Sequence, residues 1–227
     1  RREMTCRRSR AGFLVLASLA SLTWAFAGVL NPTMSQLHAF VSEYSARDQP
    51  WRYLFQTTDV VMGTSLCLAG LATLAWARHR PLGRQGWSGI GFVVGGLFSV
   101  LDALVTMDCS PTRSPACMAA EEAGHVSASH IVHVGTSTVV VIGFALPILL
   151  LNSTMTRFRG FGLVVAWAWV IFTLLNGIGA MDWFNGTPMN YTGIWQRLSL
   201  GLGTLWWLTL AADDVITARA RNHVPSC

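Results

Sequence analysis

Lysine is absent from all 227 residues, which excludes Schiff-base chemistry and covalent retinal attachment. Charge of either sign is scarce. Charged residues make up 12% of the chain, against roughly a quarter in a typical soluble domain, so a soluble globular fold is excluded too. No H-E-x-x-H sequence occurs, so the best-defined zinc-hydrolase signature is missing. An internal repeat and the paired broken helices expected of a transporter are also missing.

Hydrophobic residues fill 52% of the chain. They fall into runs of roughly 20, the length that crosses a bilayer core as helix. Six spans are expected, at about 11–31, 54–77, 88–107, 130–151, 161–181 and 194–213. The fold class is therefore an all-α polytopic membrane protein, a six-transmembrane-helix bundle. It divides into a basic cytoplasmic N-terminus (1–10), the six-helix domain (11–214) and a cytoplasmic C-terminal tail (215–227).

Arginine sets the orientation, because basic flanks are retained in the cytoplasm. Arg1, Arg2, Arg7, Arg8 and Arg10 precede the first span, and Arg78, Arg80, Arg84, Arg157, Arg159, Arg219 and Arg221 flank the same side. Only Arg47, Arg52, Arg113 and Arg197 fall opposite. Both termini are placed in the cytoplasm of a cell with a plasma (inner) membrane. The net charge of +5 then follows from topology, with no nucleic-acid partner. Ala25-Phe26-Ala27 resembles a signal-peptidase site, but the apolar run continues to Leu30. The sequons at Asn185 and Asn190 matter only in a eukaryotic secretory pathway.

On this topology acid and imidazole chemistry gathers outside. Glu43, Asp48, Asp59, Asp102, Asp108, Glu121, Glu122 and Asp182 lie there, with His38, His125, His130 and His133. His79, His223, Glu3, Asp213 and Asp214 lie at the inner face, and the two adjacent aspartates receive no function. Ionisable groups inside a membrane usually face the bundle interior, where another group compensates them. Asp59, Asp102, Asp108, His133 and Ser137 are the candidate catalytic residues, and Asn176, Asp182, Trp195 and Arg197 the candidate substrate-binding ones. Bland readings stand beside these: Asp102 as a helix-locking partner of Arg197, Asp59 as an interfacial cap near Thr57 and Thr58, and His133 as a packing histidine.

His130 and His133 stand one turn apart at the start of the fourth span, and His125 could supply a third imidazole from the loop. Zinc or another divalent metal is the cofactor such a set would hold. Cys109 and Cys117, on the oxidising side, are expected to form a disulfide. In the first outer loop Met34, Leu37, Val41 and Tyr44 make one stripe at helical spacing after Asn31-Pro32, which predicts a short interfacial helix. Of the ten tryptophans, Trp24, Trp167, Trp169, Trp206 and Trp207 fall inside spans, as packing bulk or as the wall of an aromatic cavity.

The segments "VSEYSARDQPWRYLFQTTDVVMG", "SVLDALVTMDC" and "HIVHVGTS", set in six spans, resemble the family of prokaryotic membrane proteins catalogued as domain of unknown function 998. That resemblance implies the six-helix architecture and a polar outer pocket, and no activity. A looser likeness is to the alkaline-ceramidase and adiponectin-receptor superfamily, membrane hydrolases with a Ser, an Asp and three zinc-binding His. It implies that Asp102, His125, His130, His133 and Ser137 could form a workable hydrolytic site.

Three functions remain open. The first is a membrane-embedded hydrolase or transferase acting on a lipid-like ester or amide. The second is a terpene cyclase using Asp59, Asp102 or Asp182 as acid, with interior tryptophans stabilising carbocations. The third is a non-catalytic accessory, sensor or lipid-binding protein. Expected partners are a membrane lipid or other hydrophobic small molecule, and a homo-oligomer is compatible with all three.

Overall fold

The computed structural model describes residues 2–78, 82–184 and 191–222, without the side chains of residues 2, 182–184, 221 and 222. The side chain of Asp182, and His79, Asn185, Asn190, His223 and Cys227 entirely, lie outside the described residues. Within the described residues the regular structure is all helical, with no strand. The long helices follow the apolar runs. α1 (Arg2–Ser21) passes through a 3-10 turn (Leu22–Phe26) into the single turn α2 (Ala27–Leu30). α3 (Arg52–Ala77), α4 (Arg84–Leu104), the short α5 (Pro115–Glu122), α6 (Ala128–Leu150), α7 (Arg159–Phe184) and α8 (Thr192–Asn222) complete the chain.

Five segments are long and apolar enough to cross a membrane: Glu3–Leu30, Arg52–Ala77, Arg84–Leu104, Ala128–Thr154 and Arg159–Met181. The protein is a multi-pass membrane protein. α8, which contains the expected span 194–213, is not among the five; its 31 residues carry Gln196 and Arg197 at one end and Asp213 and Asp214 at the other. Helix also extends beyond the expected domain limits, covering residues 2–10 and 215–222.

The helices stand side by side in the order α6, α4, α3, α1, α8, α7. Small residues decide which neighbours touch, since helices in lipid associate by close backbone packing. A Cβ on Gly96 of α4 would lie 2.5 Å from the carbonyl oxygen of Gly63 on α3, and one on Gly91 2.6 Å from that of Gly143 on α6. The ring does not close, because α6 and α7, consecutive in sequence, barely touch. α7 turns a continuous apolar stripe outward, with Val164, Trp167, Ile171, Leu174, Ile178 and Met181 all more than half exposed. Such a patch on a bundle of apolar helices is a lipid face.

At the end of the bundle bearing the arginine-rich segments, the interior is packed by Leu14, Leu66, Phe92, Ile148, Trp206 and Leu210. Trp206 is fully buried and its indole N–H donates to Asn152 Oδ1 at 3.0 Å. Next to this core lies a polar lock. Asp214, with no exposed surface, accepts from Arg7 Nη1 at 2.9 Å and from Arg10 Nε and Nη2 at 2.7 Å each. Both guanidinium groups also lie over the ring of Trp76. Asp213, equally buried, accepts the backbone N–H groups of Thr156, Arg157 and Phe158. It supplies the acceptor that donors at a helix start otherwise lack.

The short helix expected over residues 34–44 does not form. Residues 32–40 run through turns and Val41–Ser45 is a 3-10 turn. The reason is competition for the backbone. Arg197 Nη1 takes the carbonyl oxygens of Gln36 and Ala39, each at 2.9 Å, and the Glu43 carboxylate takes the N–H of Phe40 at 2.8 Å. Met34 and Tyr44 still point inward as the apolar pattern requires, packing with Ala27, Ala39 and Phe55, while Leu37 is exposed.

Candidate functional site

The other end of the bundle, which carries the disulfide, is built differently. Cys109 and Cys117 are bonded, as expected, and the loop they close is fastened to the segment after α2 by one buried carboxylate. Glu43, with no exposed surface, accepts from the hydroxyls of Ser110 and Thr112 at 2.5 Å each and from the Thr112 N–H at 3.1 Å. Burial pushes its carboxyl above the usual range despite these bonds. The same burial raises the neighbouring Tyr44 phenol.

Beneath these two loops lies a cavity of about 440 Å³, partly open to the exterior. Phe40, Val41 and Pro111 belong to its roof, and α1, α3, α4, α6, α7 and α8 contribute its walls. Of the candidate residues, Asp59, Asp102, His133, Ser137 and Asn176 line it. Asp59 and Asp102 reach the same cavity from α3 and α4.

The geometry around Asp102 is specific. Thr136 donates its hydroxyl to Asp102 Oδ1, and the Ser137 hydroxyl lies 3.0 and 3.1 Å from the two carboxylate oxygens. His133 Nδ1 lies 2.9 Å from the carbonyl oxygen of Val105, 3.2 Å from that of Asp102 and 3.3 Å from Asp102 Oδ1. All three neighbours are acceptors, so the hydrogen bonding assigns the proton to Nδ1. Nδ1–H thus caps the free carbonyls where α4 ends. Nε2 is left as an acceptor with no hydrogen-bond partner, on a residue only 3% exposed. Two further buried polar atoms on lining residues share that condition, Trp24 Nε1 and Asn176 Oδ1. Unpaired buried polar atoms are rare and costly in a folded protein, and those facing a cavity are groups that water or a ligand within it can satisfy.

The remaining candidates are placed elsewhere. Asp108 is spent on Ser127, accepting its N–H at 2.6 Å and its hydroxyl at 2.7 Å, with Arg47 Nη1 at 3.1 Å. Burial acts to raise its carboxyl, but those hydrogen bonds and the guanidinium outweigh it and hold the group below the usual range. Arg197 does not meet Asp102. Besides Gln36 and Ala39 it binds the Gly193 carbonyl oxygen at 2.9 Å and the Tyr44 hydroxyl at 3.3 Å. Trp195 stacks on Phe172. Of the span-interior tryptophans only Trp24 lines the cavity; Trp169, Trp206 and Trp207 are core, and Trp167 is 62% exposed.

The three imidazoles do not converge. His125 is exposed, and His130 Nδ1 accepts the Asp108 N–H at 3.2 Å, which puts its proton on Nε2, 3.8 Å from Glu121 Oε1. Among the described residues no three His, Cys, Asp or Glu side chains are grouped so as to hold a metal ion. Ser137 likewise gives its hydroxyl to Asp102 rather than to a histidine, so no serine triad is assembled.

Sequence reasoning missed Glu43 and Thr136. For Thr136 a signal existed, since it lies three residues after His133 and shares its helix face. Glu43 gave none, because its partners lie 67 and 69 positions away.

No curated protein and no solved structure matches the chain. One family model does match, over residues 14–213, and its description is a protein of unknown function. The match takes in the cavity and the disulfide loop and stops just short of Arg7, Arg10 and Asp214, and by it the chain belongs to the DUF998 family.

Proposed function

We propose that this protein is a membrane-embedded hydrolase or transferase acting on a lipid-like ester or amide, with the His133–Asp102 pair as its acid–base machinery. The observation that carries the reading is the unspent Nε2 of His133, on a residue of the cavity wall whose other ring nitrogen is fixed against Asp102 and Val105. A histidine with one nitrogen held by an acceptor and the other left as a lone pair is the usual form of a general base. A water or alcohol drawn to Nε2 would give up its proton there as it attacks the acyl carbon, and Asp102 would stabilise the imidazolium; as the tetrahedral intermediate collapses, the imidazolium would return that proton to the departing alcohol or amine while the C–O or C–N bond breaks. Ser137 and Thr136 then act as positioning residues, holding the carboxylate by their hydroxyls.

In this reading α8 is a sixth crossing. It lies alongside α1 from Arg197, bound near Ala39, to Asp214, bound to Arg10. Arginine placement puts both termini in the cytoplasm of a plasma (inner) membrane, and the cavity in the outer half. The acid–base pair needs no metal for this chemistry.

The test uses protein in lipid nanodiscs, offered a panel of long-chain esters and amides, with released acid measured by mass spectrometry. Wild type turns over at least one class, and His133→Gln lowers the rate by about 10²–10⁴-fold, the usual contribution of a general base, with unchanged thermal unfolding. Wild-type rates in the His133→Gln protein would sink the proposal. Wild type that binds panel members and turns over none would establish the lipid-binding reading instead. A cyclase reading is favoured by Asp59, which lines the cavity with Phe55, Met62 and Trp24. Cyclisation of a polyprenyl substrate, abolished in Asp59→Asn, would establish that one.

A further inference from the structure

We infer that the cavity admits a single-chain amphiphile sideways from the bilayer, through the gap between α6 and α7, and that it selects a head that donates hydrogen bonds over an anionic one. The inference rests on reading the cavity as a ligand site, and goes beyond it to the class of ligand and the way in.

Selection follows from what the wall contains. Three carboxylates line the cavity, Asp59, Asp102 and Glu121, and among the described residues no arginine does; lysine does not occur in the chain. The nearby guanidinium of Arg197 is committed to three carbonyl oxygens and the Tyr44 hydroxyl. A phosphate or free carboxylate would therefore meet acidic groups with no counter-charge in the wall, in a medium where a buried charge is costly unless paired. A hydroxyl or amine instead finds acceptors, His133 Nε2 and Asn176 Oδ1 among them.

The size of the ligand follows from the volume. About 440 Å³ falls in the range of pockets that bury a drug-sized molecule, enough for one chain and a small head but not for a two-chain lipid with its headgroup. The route in follows from packing. The end toward solvent is roofed by the two loops that Glu43 ties together, whereas α6 and α7 barely touch. Both helices still contribute wall residues, among them Thr138, Val141 and Ile142 from α6 and Thr173, Asn176 and Gly177 from α7. Apolar side chains flank the gap on its outer surface, Ile142 at 61% and Leu174 at 62% exposure. A Cβ added at Gly177 meets nothing within 4 Å, so this position faces open space rather than a neighbouring helix.

The experiment uses the full chain in phosphatidylcholine vesicles and three photoactivatable probes that share one chain: hexadecanol, hexadecylamine and hexadecyl phosphate. The alcohol and amine are expected to label residues of α6 and α7 saturably, and the phosphate at least about ten-fold more weakly. Gly177→Trp, which fills the gap, is expected to cut alcohol labelling about ten-fold while circular dichroism stays helical. Ile142→Trp on the facing helix serves if the first variant does not fold. Asp59→Asn is expected to narrow the discrimination against phosphate. Equal labelling by the phosphate, or labelling untouched by both tryptophan variants, would overturn the inference. Labelling needs no turnover. A protein that discriminates between the probes but hydrolyses nothing would refute the catalytic proposal and leave this inference standing, and the reverse pattern would do the opposite.

Discussion

Replacing Asp214 by Asn leaves size and shape almost unchanged while removing one buried charge. In the native structure that carboxylate receives three guanidinium hydrogen bonds of 2.7–2.9 Å, and Arg10, Arg7 and Asp214 are 1%, 5% and 0% exposed. The amide in its place would keep one acceptor oxygen and turn its N–H₂ toward donors. The two guanidinium groups would then be left with Glu3, the Trp76 ring and one long contact from Arg10 to the Thr73 hydroxyl at 3.5 Å. Removing one partner of a buried ion pair costs about 3–5 kcal/mol, mostly through the stranded charge. Replacing both partners with apolar residues of similar volume is often neutral. Asp214→Asn should therefore be much less stable than the triple variant Arg7→Met, Arg10→Met and Asp214→Leu, which strands no charge. Unfolding in detergent, followed by tryptophan fluorescence, reads the difference. Asp214→Asn within about 0.5 kcal/mol of wild type, the range of an ordinary surface change, would refute the argument. So would a triple variant less stable than the single one.

Three further outcomes follow. Glu43 has a raised pKa in the folded state, so the fold favours its protonated form: the stability it contributes is present below its ordinary value of 4.5 and is lost as pH rises through the raised value. Thermal unfolding across that interval should show a slope for wild type that Glu43→Gln flattens. Breaking the disulfide with Cys109→Ser and Cys117→Ser, eight positions apart, should cost about 2.5 kcal/mol by the chain-entropy account. Chemical denaturation measures that cost, and the buried Trp206 environment should stay intact until global unfolding. Asp102→Asn should leave the cavity in place but lower any turnover, with a changed pH–rate profile because the imidazole loses its charged neighbour; an unaltered profile would remove Asp102 from the machinery.

Five of the six expected spans were readable because one physical rule dominates them: a helix in lipid must be apolar for the whole thickness of the bilayer, and that requirement is written locally. The disulfide was readable for a similar reason, being set by compartment and spacing. What could not be read is which polar residues meet. Arg197 and Asp102 look like partners at one depth, yet the arginine is claimed by loop carbonyls that no sequence pattern announces. The stripe from Met34 to Tyr44 has helical spacing, but it folds into turns because side chains from α8 and from Glu43 capture the backbone groups a helix needs. Asp213 and Asp214 look like ordinary charged flanks. Their burial depends on Arg7 and Arg10 arriving from the other end of the chain, more than 200 positions away.

The lock between the two ends of the chain also bears on how the protein is made. Arg7 and Arg10 are synthesised long before Asp214, so the carboxylate they share arrives only with α8. A chain cut short before Asp214 would leave Arg7 with Glu3 and the Trp76 ring, and Arg10 with that ring and the long Thr73 contact. The contact that joins the first helix to the last is thus one that no partial chain can make.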